Sequence, residues 1–311
     1  MFYINYIPKK RSLIPFLALT LYIAVTLFTE VCADGVKAAL ELCLFTLLPS
    51  LFPFCFATNL LLECDFEKSI SRPFSKPFKR LFHLDPNLVF PYIIGMISGY
   101  PQGSIAVMNI YKKGGCTRAE AEHALSFCNN TGIGFIIGVC RTLGFSKWDT
   151  LCIFSAQFAA SLLYALIFRP KNYPKEIKAD KKNEKDIGFN VFSKALTGSL
   201  YPMALVCGYV MIFGVISEFA ERFFAFLSFS PAFCAFLFSF LEISNASYRI
   251  SLLPSALALP LLSFAVVFSG LCVHLQIYSC VRGVLKTKKL ILNKLFQAVF
   301  AFLITLFVKM T

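Results

Sequence analysis

FCNNTGIGFIIGVC, residues 127–140, sets two asparagines and a threonine inside an otherwise hydrophobic stretch, and FSGLCVHLQIYSCV, residues 268–281, echoes it later in the chain. A polar group at membrane depth costs free energy unless a neighbour, an ion or a ligand satisfies it. Two such insertions in two halves of one chain therefore point to a shared polar site, and to a transporter-like architecture around it.

The surroundings support a membrane setting. The chain has 311 residues, of which 57% are hydrophobic, with 36 Phe and a single Trp. Its mean hydropathy is +0.69. Soluble globular domains are about 45–50% apolar, so this is a polytopic membrane protein by composition. The formal charge of +13 does not indicate nucleic acid, because the cations lie between apolar runs and not along one stripe. The 12 cysteines contain no C-x-x-C pair and mostly sit in apolar runs, as Cys43, Cys55, Cys128, Cys152, Cys207 and Cys234 do. They read as small packing residues and not as a disulfide framework or metal site. A basic start (Lys9, Lys10, Arg11) precedes an apolar run to Phe28, which reads as a retained first helix and not a cleaved leader.

Nine apolar segments are visible, at 13–29, 38–62, 88–111, 124–140, 151–168, 198–217, 224–250, 252–280 and 291–308. If all nine crossed, the basic loops 63–87 and 169–194 would face opposite sides, against the positive-inside tendency. The conflict disappears if 88–111 enters and leaves on one side, since Gly99, Tyr100, Pro101 and Gly103 lie at its centre, where a helix breaks. The alternative for Gly99 and Gly103 is close helix packing in one kinked helix. The same parity makes 231–251 re-entrant, with its break in LEISNASYR between Glu242 and Arg249. This topology places 24 of the 30 Lys/Arg in the cytoplasm: three at the N-terminus, then five, three, eight and five in successive loops, the last being residues 282–294. The N-terminus is cytoplasmic.

The expected fold class is therefore all-α, a polytopic membrane protein with about seven spanning helices and two re-entrant helical hairpins in two inverted repeats. Residues 1–34 form an extra N-terminal transmembrane helix, 35–168 the first repeat with its hairpin near 88–111, 169–194 a basic cytoplasmic linker, and 195–311 the second repeat with its hairpin near 231–251. SLFP at 50–53 matches SLYP at 199–202. Inverted repeats with broken helices place their binding site near the midplane, where half-helix N-termini aim free N–H groups at the ligand. The candidate substrate-binding residues are then Gly99, Tyr100, Pro101, Gly103, Ser104, Asn129, Asn130 and Thr131 in the first half. Glu242, Ser244, Asn245, Arg249, Ser269, His274 and Gln276 are their counterparts in the second. Asn129, Asn130 and Thr131 serve either a ligand or interhelical bonding. Glu242 has Arg249 or His274 as candidate partner, and reads either as a structural ion pair or as a coupling or ligand-binding acid. His274 is either a satisfied core histidine or a proton or substrate group. Arg249 either neutralises an anionic substrate or snorkels to the surface.

SGYPQGS at 98–104, KKGGCTRAEAEHALSFCNNTGIGFIIG at 112–138, LEIS at 241–244 and FSGLCVHLQ at 268–276 together resemble the YlbJ-type sporulation integral membrane proteins, which carry the nucleoside-recognition or Gate domain. The resemblance implies a membrane protein of endospore-forming bacteria, in the cell or forespore membrane, related in design to concentrative nucleoside transporters and implicated in moving dipicolinate. The chain departs from the family pattern at Ser104 and Ile105, where a small residue and a lysine are expected, and at Ile133, where proline is expected.

The resulting expectation is a transporter for a small anionic or nucleoside-like solute, using alternating access or a gate. Its partners are that solute, the lipid bilayer and a coupling cation or proton, and no nucleic acid. The alternative is a non-transporting sporulation scaffold or receptor with a polar effector-binding centre. No cofactor or metal is implied. An enzyme is not expected, because H-E-x-x-H, G-x-S-x-G and paired aspartates are all missing from the sequence.

Overall fold

A computed structural model describes residues 14–170 and 188–310, and every described element is helical. The basic N-terminus and most of the linker 169–194 lie outside the described residues. After α1 (Ile14–Leu27) the chain turns at Phe28 and enters α2 (Thr29–Leu42), which runs through a π-helical turn, Cys43–Leu47, into α3 (Leu48–Glu63). The polar stretch before residue 38 is thus helix and not the loop expected between two spans. The reason is packing: Gly35 and Ala39 lie against α11 (Phe189–Phe226), where a methyl group on Gly214 would stand 2.5 Å from the Gly35 carbonyl. Small residues permit this close backbone approach. The two long helices run antiparallel, from Phe28 against Phe219 at one end to Phe56 against Phe192 at the other. The SLFP and SLYP turns lie along this pair, where the Cys55 thiol and the Asn59 amide donate to the Ser199 carbonyl and hydroxyl.

Short α4 (Glu67–Ser71) and α5 (Ser75–Phe82) lie in the basic loop 63–87, and α5 is amphipathic, with Phe78 and Phe82 buried beside Lys76, Lys79 and Arg80. Then come four pieces and a long helix: α6 (Val89–Ile97), α7 (Gln102–Lys112), α8 (Arg118–Phe127), α9 (Ile133–Thr142) and α10 (Lys147–Ile167). After α11 the order recurs as α12 (Pro231–Leu241), α13 (Ile243–Ser251), α14 (Ser255–Phe268), α15 (Gly270–Val281) and α16 (Leu290–Met310). The order of a long helix, two broken helices and a long helix therefore occurs twice. Starts are fixed locally by capping boxes, Thr117 with Glu120 at α8 and Ser146 with Asp149 at α10.

Five helices among the described residues are long and apolar enough to cross a membrane: Thr29–Glu63, Lys147–Ile167, Phe189–Phe226, Ala256–Val281 and Leu290–Met310. Within the expected span 13–29 the described residues form the helix Ile14–Leu27, with residue 13 outside the described residues, and the expected span 124–140 is a pair of ten-residue helices. The segment 124–140 cannot form one helix because residues 128–132 turn their polar groups to partners on other elements.

Ion pairs and hydrogen bonds sort the loops into two ends. At one end Lys113 pairs with Asp65 at 2.6 Å, the Lys286 amide donates to Glu122, and His83 Nδ1 lies 2.9 Å from the Pro170 carbonyl. At the other, Lys309 meets Asp149 and Arg249 meets Glu221. The described basic loops gather at the first end, with Lys294 as an exception.

Candidate functional site

Four interruptions of helix converge. The first, residues 98–101 between α6 and α7, turns through Gly99 at φ +83°, with a cis Tyr100–Pro101 peptide, and the two helices pack on each other. The second, residues 128–132 between α8 and α9, lies directly against it. A methyl group on Gly95 or Gly103 would overlap the Cys128 carbonyl oxygen, and one on Gly99 would fall 2.6 Å from the Gly132 nitrogen. The third is the single extended residue Glu242 (φ −152°, ψ 133°) between α12 and α13. It lies against the fourth, Ser269 and Gly270 between α14 and α15, both at positive φ; a methyl group on Gly270 would stand 2.8 Å from the Leu241 carbonyl. Each helix pair therefore presses its turn onto the break of the next, once in each half.

The two halves meet at Thr131. Its hydroxyl donates to the Val266 carbonyl at 2.6 Å and stands 3.4 Å from the Ser269 hydroxyl, which donates to the same carbonyl at 2.9 Å. Gln157 of α10 clamps the Thr131 backbone, accepting from its N–H at 3.1 Å and donating to its carbonyl at 2.9 Å. Asn129 accepts from the Ser104 hydroxyl at 2.6 Å and donates to the Leu125 carbonyl. Asn130 donates to the Phe127 carbonyl and accepts from Lys294 Nζ at 3.2 Å. Tyr100, in the first turn, packs on Val273, Ile277 and Leu290.

In the second half Glu242 is buried, and its carboxylate accepts from the Asn245 N–H at 2.9 Å, capping α13. Glu242, Ser244 and Asn245 line one side of a crevice of about 190 Å³, whose other walls include Gly35, Gly214 and Glu218. Arg249 does not meet Glu242: it pairs with Glu221 at 2.7 Å and lies 4.1 Å over the Phe238 ring, one helix length from the turn. The expected break across 242–249 is one residue wide, because the Glu242 cap lets helix resume at once. His274 is buried against Phe268, and neither ring nitrogen has a hydrogen-bond partner among the described residues. Gln276 donates weakly to the Cys272 sulfur while its carbonyl oxygen has no partner there.

Of the fifteen expected residues, Arg249 alone lies clearly apart, and Ser244 and Asn245 line the crevice on the far side of Glu242. Sequence reading did not find Gln157, Lys294 or Gln297. A lone glutamine in the apolar run of α10 was the available signal for the first. Lys294 was counted with the basic loop before α16, although the amide at Gln297, one turn on, marks a polar face. No family model matches the chain, and neither a curated protein nor a solved structure matches it.

Proposed function

We propose that the chain is a membrane transporter whose solute binds where the four interruptions meet, with the two halves acting as inverted repeats and the turns at residues 98–101 and 242 as tips of re-entrant hairpins. The observation that carries this reading is the pairing of the second and fourth breaks through Thr131, Ser269 and the Val266 carbonyl. Irregular backbone is tolerated at membrane depth only where protein buries it or it lines a cavity. Two such breaks held face to face, each backed by its own hairpin turn, suit a site that is opened from either side by motion of one half against the other. The gathering of the described basic loops at one end supports that end as cytoplasmic.

The resemblance in SGYPQGS, FCNNTG and FSGLCVHLQ carries the proposal further, to a solute that is small and either anionic or nucleoside-like, with dipicolinate during sporulation as the leading case. Uptake by proteoliposomes tests it, using labelled dipicolinate and uridine with wild type, Asn130→Ala and Glu242→Gln at matched reconstitution. Reduced uptake in both variants is expected. Well-folded variants that move solute as fast as the parent would remove the site.

A further inference from the structure

The last span carries a cation that no hairpin explains. Lys294 stands one turn into α16 with a relative exposure of 2%, and Nζ donates to Asn130 Oδ1 and Gln297 Oε1, both at 3.2 Å. No carboxylate makes an ion pair with it among the described residues. Both amides are fixed with their oxygens toward the ammonium, because Asn130 Nδ2 donates to the Phe127 carbonyl and Gln297 Nε2 to those of Ser126 and Asn293. An ammonium has three donors, and two are used.

Neutral dipoles offset only part of the cost of burying an ammonium, several kcal/mol for an unpaired ion, so an anion held beside Lys294 would favour the charged form over the neutral amine. On α15, whose Val273 and Ile277 cluster with Leu290 at the start of α16, stands His274, 4% exposed. Both of its ring nitrogens lack a partner among the described residues. A buried lysine with a spare N–H, at the break that supplies Asn130, and an unsatisfied buried imidazole thus lie on two helices that meet at Val273, Ile277 and Leu290.

We infer that Lys294 and His274, positioned by Asn130 and Gln297, bind an oxyanion group of the solute, a carboxylate or a phosphate. The inference rests on the transport reading for the site's purpose and deepens it by assigning the anion to α16 and α15 and not to the hairpin turns. A neutral solute leaves the lysine uncompensated, so the site selects by charge before shape.

Equilibrium binding to the full chain in lipid nanodiscs tests this, with benzoate and inorganic phosphate as probes and benzamide as the neutral counterpart of benzoate. Wild type is expected to bind at least one anion and to discriminate against benzamide. Lys294→Met should weaken anion binding about 10- to 100-fold, as loss of a charged hydrogen bond does. Asn130→Asp is a second, independent variant: it places a carboxylate at the lysine, loses the Nδ2 bond to the Phe127 carbonyl, and should abolish anion binding in protein shown to be folded by circular dichroism. The inference is overturned if either folded variant binds as the parent does, if benzamide binds as well as benzoate, or if wild type binds neither anion. Uridine uptake on the same preparations separates the two readings. Uridine flux without anion binding sinks the anion site alone, whereas anion binding without flux of any solute keeps the site and removes the transporter.

Discussion

Thr131→Val and Ser269→Ala, made singly and together, probe the junction between the halves. The Val266 carbonyl lies four residues before Gly270, where the helix breaks, and it accepts two hydroxyls, from Thr131 at 2.6 Å and Ser269 at 2.9 Å. Either substitution alone leaves the other donor in place. Each single loss should therefore cost about 0.6–1 kcal/mol, the scale of an interhelical hydrogen bond in membranes. Removing both strands a buried carbonyl, which adds about 1–3 kcal/mol. The Gln157 clamp on the Thr131 backbone keeps the break in register in the valine variant, so the measurement reads hydroxyls and not collapse. Unfolding in mixed micelles by titrated SDS, followed by circular dichroism, gives all three values. The double variant should cost more than the sum of the two singles by about 1 kcal/mol or more. Agreement with the sum within about 0.5 kcal/mol would refute the shared-carbonyl account.

Two further outcomes follow from geometry and charge. Gly103→Ala drives a methyl group into the Cys128 carbonyl and should cost about 1–3 kcal/mol or more, whereas Gly134→Ala, with nothing within 4 Å, should be close to neutral in the same SDS titration. A neutral Gly103→Ala would show that the first turn does not press on residues 128–132. At the loop end, burial holds the Asp85 carboxyl above its ordinary value, with Glu120 adding to the rise and the Asn87 N–H opposing it. The folded state then binds this proton more tightly than the unfolded chain, so the contribution of Asp85 is most favourable below about pH 3.9 and is lost as pH rises through the raised value. Asp85→Asn keeps the cap on the Asn87 N–H and removes the charge. Its melting midpoint should exceed that of wild type at pH 7.5 and converge with it toward pH 4; parallel curves, or a lower midpoint at pH 7.5, would contradict the assignment.

The interruptions were legible because their causes are local. Gly99 and Pro101 break a helix by their own backbone preferences, Glu242 caps the next one, and two asparagines and a threonine in an apolar run require partners outside it. Partners were harder, since nothing near Arg249 in sequence indicates Glu221, and nothing near Thr131 indicates Gln157. Lys294 illustrates the limit of charge counting. A lysine at the edge of an apolar run is ordinarily a loop cation, and only Asn130, 164 residues away, shows that this one turns inward. The start of α2 at Thr29 was hidden likewise, because Glu30, Asp34 and Lys37 separate two apolar runs and only Gly214 explains what Gly35 and Ala39 face.

The π-helical turn Cys43–Leu47 acts as a phase adjustment in a rod too long to stay in register. The 35 residues of Thr29–Glu63 span about 53 Å, well beyond a hydrocarbon core of about 30 Å. Along a regular helix, residues spaced by four drift about 40° per step around the axis. The buried positions Val31, Gly35, Ala39, Cys43 and Leu47 follow that spacing, and unrelieved drift would carry Cys55 and Asn59 away from Ser199. The wider turn takes up the excess rotation, so one helix faces α11 along its whole length. The small-residue crossing at Gly35 and the polar contact at Asn59 thereby lie on one continuous face of the rod, about a membrane's thickness apart.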